Sequence, residues 1–136
     1  MIDPPPTVRQ MRVAVTASDY DATVAFYRDV LGLGELEEFV TDHGRGIILE
    51  AGSATFEILD EAHAAHVDDV EVGRRVAGPL RVAFEVDDAE AITAKLVEGG
   101  ATLLASPSVT PWNSLNGRVD APAGLQLTLF TELGPA

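Results

Sequence analysis

Two arginines stand near the head of almost the same phrase. Arg12 lies in "MRVAVTASD" (Met11–Asp19) and Arg81 in "LRVAFEVDD" (Leu80–Asp88). A guanidinium is a permanent cation with five N–H donors and no lone pair, so it can grip an oxygen on a ligand but cannot ligate a metal. Alternation places Glu85 on the same strand face as Arg81 and Ala83, which puts a carboxylate on the arginine's side. Other reactive groups form weaker patterns. His63 and His66 lie three apart in "EAHAAHV" and would share one helical face. The neighbouring Asp60, Glu61, Asp68 and Asp69 complete no ligand motif. His43 sits in the turn "TDHGRG". Ser, His and Asp occur without a nucleophile elbow, and "HGRGIILEAGS" lacks a phosphate-loop pattern. The chain has no cysteine, which excludes disulfides, thiol nucleophiles and thiolate metal sites.

The elements that must position these groups repeat. "MRVAVTA" alternates as a strand, with Met11, Val13, Val15 and Ala17 on one face and Arg12, Ala14 and Thr16 on the other. Ser18 or Asp19 offers an N-cap. Tyr20, Val24, Tyr27 and Leu31 then form one helical stripe, closed by "GLG". Strands follow in "ELEEFV", "IILEA" and "ATFEILD", separated by "TDHGRG" and "GS". Residues 60–78 read as a connector holding at most a short helical turn. The pattern then restarts. Leu80, Val82, Phe84 and Val86 alternate with Arg81, Ala83 and Glu85, and Asp87 or Asp88 caps a helix over "AEAITAKLVEGG". "ATLLA" is a strand, "SPSVTPWNSLN" a long loop, and "GRVDA" and "LQLTLFT" flank the turn "PAG". Arg12 to Arg81 and Asp19 to Asp88 are both 69 residues apart, so the register holds from strand into helix. That is a duplication of one β-α-β-β-β unit. Each unit is a curved sheet with a helix on one face. Two units side by side would form a cup around a crevice, and the small residues Ala14, Thr16 and Ala83 would leave room in it for a ligand.

Composition sets outer bounds. The 136 residues are 46% hydrophobic and 23% charged, enough for one packed domain. No apolar run reaches the roughly 20 residues of a membrane span, and "MIDPPPTVRQ" has no signal-like apolar stretch, so a cytoplasmic protein without a membrane partner is expected. The formal net charge is −13. Such a field repels phosphate backbones, which argues against nucleic-acid binding and favours a cationic over an anionic ligand.

Two segments carry a family resemblance. "SDYDATVAFYRDVLGLGELEE" resembles the first-helix signature of the vicinal oxygen chelate superfamily, the glyoxalase I, bleomycin-resistance and extradiol-dioxygenase group. "PWNSLNGRVDAPAGLQLTLF" is similar to its closing segment. The resemblance runs from about Met11 to Thr131. It implies an α+β fold of two tandem βαβββ modules in a curved, cup-shaped mixed sheet with helices outside. A single domain over 1–136 is expected, with module one at about 10–60, a connector at 61–78 and module two at about 79–132. The family is commonly dimeric, so a homodimer is expected.

In the family's metalloenzymes a divalent ion is held by a residue in the first strand of each module and one in the last. Here those positions are Arg12 and Arg81, and Glu57 and Thr128. Glu57 alone keeps a metal-ligand type, while two positions carry cations that would repel a divalent ion. The expectation is a crevice without metal or other cofactor, in which Arg12, Glu57, Arg81 and Thr128 contact the ligand, or else the arginines and Glu57 form a salt-bridged network that closes the sheet or bridges the modules. Thr16, Glu85 and Trp112 would form its wall or lid, Trp112 on a loop that the resemblance places over the mouth. Arginines beside Glu57 would hold its pKa down and make it a poor general base. Three functions follow. The first is a metal-independent, bleomycin-resistance-like binder of a small, partly apolar molecule. The second is a glyoxalase- or dioxygenase-like metal-dependent lyase, isomerase or oxygenase. The third is a scaffold whose own side chains fill the crevice.

Overall fold

The computed structural model describes residues 12, 13, 15, 17–54, 57 and 60–134. The strand expected over 11–17 and the one expected over 54–60 lie partly outside that set. The rest is α+β. Helix α1 spans Tyr20–Val24 and continues as a π-helical turn over Ala25–Val30, followed by β1 (Gly34–Thr41) and β2 (Gly44–Glu50). Then come α2 (Glu61–Glu71), β3 (Arg81–Glu85), α3 (Ala89–Glu98), β4 (Thr102–Val109), β5 (Ser114–Ala121) and β6 (Leu125–Glu132).

The repeated aspartates do the same local work. The Asp19 carboxylate accepts from the Ala22 N–H at 3.1 Å, and the Asp88 carboxylate from the Ala91 N–H at 3.0 Å. Each N-cap satisfies a donor that the first helical turn leaves open, worth about 1 kcal/mol. The π-turn departs from the simple helical stripe. The Leu31 N–H reaches back to the Phe26 carbonyl at 2.9 Å, and this wider turn brings the adjacent Phe26 and Tyr27 both into the interior. Their rings meet edge to face at 5.1 Å. The Tyr27 hydroxyl donates to the Pro122 carbonyl at 3.1 Å, and burial pushes its pKa up to about 12.

The described strands form two sheets that do not join into a closed cup. β1 and β2 make an antiparallel pair. The other sheet runs β3-β6-β5-β4, with β3 parallel to β6 and the remaining pairs antiparallel. Strand parity gives the larger sheet two distinct faces. Leu125, Leu127 and Leu129 of β6 and Val119 and Ala121 of β5 pack with Leu96 of α3 and with Phe26 and Tyr27. The helices close approach there requires Gly99, where a Cβ would lie 2.4 Å from Val30 Cγ1. The opposite, helix-free parity carries Arg81, Ala83 and Glu85 of β3, Gln126, Thr128 and Phe130 of β6, and Asn116 and Arg118 of β5.

Two segments differ from the sequence-based expectation. The connector holds a full helix of 11 residues, with the Asp60 carboxylate capping it through the His63 N–H at 2.8 Å. Its buried residues are Val67, Asp68 and Glu71. A helix that buries carboxylates carries little apolar periodicity, so the usual signal was missing. The long loop over "SPSVTPWNSLN" is instead mostly strand, with only 110–113 left between β4 and β5. Pro107 is tolerated because β4 is an edge strand whose register shifts between Ala105 and Ser108, which spares a ladder hydrogen bond at the proline.

Candidate functional site

The helix-free face of the larger sheet centres on Arg118, whose side chain is 0% exposed. β5 aims it away from the core because Gly117 and Val119 take the other parity. Its Nη1 donates to Asp68 Oδ1 at 2.8 Å and to Gln126 Oε1 at 3.1 Å. Its Nη2 donates to Glu71 Oε1 at 3.0 Å, and its Nε reaches Glu71 Oε1 and Thr128 Oγ1, both at 3.2 Å. The second carboxylate oxygen of Glu71 accepts from Asn116 Nδ2 at 3.0 Å. Ser114 and Thr110 extend the chain through Ser114 Oγ, which donates to Asn116 Oδ1 at 2.6 Å. Forked, charge-assisted bonds of this kind let two carboxylates and a guanidinium be buried together.

Asp68 ties the connector to this centre. It accepts from Arg75 Nη1 at 2.7 Å and from the Val76 and Ala77 N–H groups, both at 2.8 Å. Burial pushes its pKa up, but the bonds from Ala77, Arg118, Arg75 and Val76 outweigh it and hold the carboxyl well below the usual range. Thus α2 lies across the β5–β6 part of the helix-free face, held mainly by ion pairs.

The expected site residues fall into three groups. Arg81 and Thr128 come together: Arg81 Nη1 donates to Thr128 Oγ1 at 2.9 Å, and Thr128 Oγ1 donates to Glu71 Oε1 at 3.0 Å. Arg81 is half-buried; burial and the nearby Arg118 lower its pKa, against the opposing pull of Glu71, Glu57 and Asp68. Glu57 is exposed and acts on Arg81 through this field; the hydrogen-bonded carboxylates at the centre are Asp68 and Glu71. Arg12 is exposed and has its own interactions, whereas Thr16 lies outside the described residues. Glu85 and Ala83, which share a face of β3, are both exposed. Trp112 is 42% exposed. The positive φ of Asn113 (63°) and the Thr110 N–H bond to the Ser114 carbonyl (2.8 Å) shape its turn. Its ring meets His66 of α2 edge-on at 6.3 Å, with His63 5.9 Å further along. Among the described residues no three His, Asp or Glu side chains cluster as metal ligands.

Arg118, Asp68 and Glu71 were not expected as the centre. A signal existed for Arg118, an arginine mid-strand opposite the core parity of Val119. Asp68 and Glu71 at i and i+3 share a helical face, which becomes visible only once the connector is known to be a helix. An open groove of about 550 Å³ lies elsewhere, on the outer face between α3 and β4. It contains none of the expected residues.

The Glyoxalase/Bleomycin resistance protein/Dioxygenase superfamily model matches residues 9–129. The chain belongs to this superfamily. Solved superfamily structures share its fold at low identity. TnmS3, an antibiotic binding protein from Streptomyces sp. CB03234, is 21% identical, with a TM-score of 0.62 over 94% of this chain and 99% of that one. A superfamily member from Sphaerobacter thermophilus DSM 20745 is 18% identical, with a TM-score of 0.63 over 93% and 100%. A glyoxalase/bleomycin resistance protein from the same Streptomyces strain is 24% identical, with a TM-score of 0.53 over 85% and 93%. No curated protein matches by sequence. No helix among the described residues is long and apolar enough to cross a membrane.

The superfamily's divalent ion does not suit the donors of this face. At the positions that the family resemblance implies for the second module's ligands, Arg81 donates and the Thr128 hydroxyl is shared between two guanidiniums and Glu71. The carboxylates within reach, Asp68 and Glu71, are already paired with Arg118. A divalent ion placed there would meet two fixed cations in a poorly solvated site, where like-charge repulsion is strong.

Proposed function

We propose that the protein binds a small, partly apolar molecule on the helix-free face without using a metal ion. The observation that supports this reading is the Arg81–Thr128 hydrogen bond, which joins a cation and a shared hydroxyl at two positions that the family resemblance implies for metal ligands. Arg81 would be the polar anchor. The exposed Ala83 would be the floor, and Phe130, paired with Glu85 across the strands, an apolar wall. Arg12, Glu57, Glu85 and Thr16 would complete the surround, and Trp112 would lie at its rim. A few fixed polar groups among apolar ones suffice for capture of a small molecule. The antibiotic-binding description of TnmS3, a fold relative, is in keeping with this role. The reading includes a single domain of two modules, at about 10–60 and 79–132, joined by a connector.

A second reading has its own support. Because α2 already covers part of the face, the fold would be a scaffold that needs no guest. A thermal-shift screen of natural-product-like compounds separates the two. Binding is expected to raise Tm by several degrees for some members, since a ligand at 100 times its Kd adds about 2.7 kcal/mol. A screen with no stabilising compound would favour the filled scaffold.

The reading also includes a homodimer. Leu36, Phe39 and Val40 of β1 are exposed, and such a run of apolar side chains on one strand is a candidate surface for a second copy of the chain. Light scattering should give twice the 14.4 kDa chain mass; a monomer at micromolar concentration would remove this part of the proposal.

A further inference from the structure

We infer that the molecule received on this face carries a carboxylate, seated on Arg81 beside the edge of α2. The inference rests on the binding reading above and narrows its ligand class. The protein already shows what this floor accepts. Arg118 and Thr128 together direct three donors at one oxygen of Glu71, so a carboxylate supplied by α2 fills the buried half of the seat. The half along β3 differs. Among the described residues, Arg81 has a hydroxyl partner, Thr128, and no carboxylate within ion-pair distance. Its neighbour on the strand face, Ala83, is exposed and small.

Charge supports the same assignment. Arg81 shares Thr128 Oγ1 with the guanidinium of Arg118. Burial and this like-charged neighbour work against its cationic form more than Glu71, Glu57 and Asp68 support it. A group whose charge is under-compensated in a half-buried site gains most from an incoming anion. The chain's net charge of −13 penalises multiply charged anions at long range. That selects a monoanion, with Phe130 available for an apolar body. The local floor therefore sets the ligand's sign against the field of the whole molecule.

Matched probes test the ligand class: 2-naphthoate, 2-naphthamide and 2-naphthylmethylamine, titrated into the full-length protein with calorimetric detection. The acid is expected to bind at least tenfold more tightly than the amide, and the amine more weakly still. Arg81→Gln should weaken the acid until acid and amide bind within about twofold of each other. Because that variant loses the bond to Thr128, its fold is checked by circular dichroism. The Glu71→Gln variant supplies an independent arm. It removes one competing negative charge from the floor, so the acid should tighten severalfold and the amide should not. The inference is overturned if the amide or amine binds as well as the acid, or if none of the three binds. The compound screen described above decides the parent reading separately. A stabilising neutral or cationic compound there, with no preference for the acid here, would leave a binder whose ligand class is wrong.

Discussion

Replacing Arg118 with methionine is expected to cost about 3–5 kcal/mol of folding stability, the usual loss when one partner of a buried ion pair is removed. Methionine approximates the length of the side chain but leaves Asp68 and Glu71 with buried charge. Both are nearly inaccessible, with side chains 1% and 2% exposed. Gln126 and Thr128 lose a donor as well. Arg118→Lys should fall between, because an ammonium cannot fork onto Glu71 and reach Asp68 in the same geometry. Adding Asp68→Asn and Glu71→Gln to the methionine variant should restore part of the loss, since the uncompensated charges go with them. Urea denaturation followed by circular dichroism measures each value. A loss below about 1 kcal/mol for Arg118→Met, the level typical of an exposed pair, would mean that the network does not hold α2 to the sheet.

Acidification should weaken the fold through Asp68. Hydrogen bonds at the connector overcome the effect of burial and place its folded pKa well below the ordinary value of 3.8. Over the acid range the unfolded chain therefore binds more protons than the native one, so stability falls as pH falls. The contribution is complete above about pH 5, where the unfolded carboxyl is also ionised. It is lost progressively below that, with a slope of up to about 1.4 kcal/mol per pH unit from this one group. Asp68→Asn should lower stability at pH 7 and flatten the slope between about pH 5 and pH 3. Urea midpoints for the two proteins across that range provide the comparison. Parallel curves would show that Asp68 is not the group responsible.

Both expectations concern residues that the sequence did not single out, and the reason is physical. The duplicated phrase, the Asp19 and Asp88 caps and the alternation of β3 and β6 are local patterns, and local patterns are legible in a sequence. The superfamily followed from them. Arg81 was named from the repeat register and Thr128 from a family position, and a hydrogen bond joins the two. Thr128 and Arg118 find their carboxylate on α2, where Glu71 lies 57 residues from Thr128 and 47 from Arg118. A helix that docks through Asp68 and Glu71 leaves no apolar stripe to mark it. Glu57 was expected at Arg12 and Arg81, whereas the bonded carboxylates are Asp68 and Glu71 of the connector, on Arg118 and Arg75. β4 was shortened in the reading because Pro107 looks like a loop residue until its strand is known to be an edge.

The central claim is that arginine chemistry has replaced metal chemistry on this face. Elemental analysis of tag-free protein tests it most directly. The protein would be incubated with zinc, nickel, manganese and iron(II) in turn and then dialysed. The account predicts far less than one retained ion per chain, with any weak binding at His63 and His66 removed by dialysis. One tightly retained divalent ion per chain, lost on chelation, would contradict it.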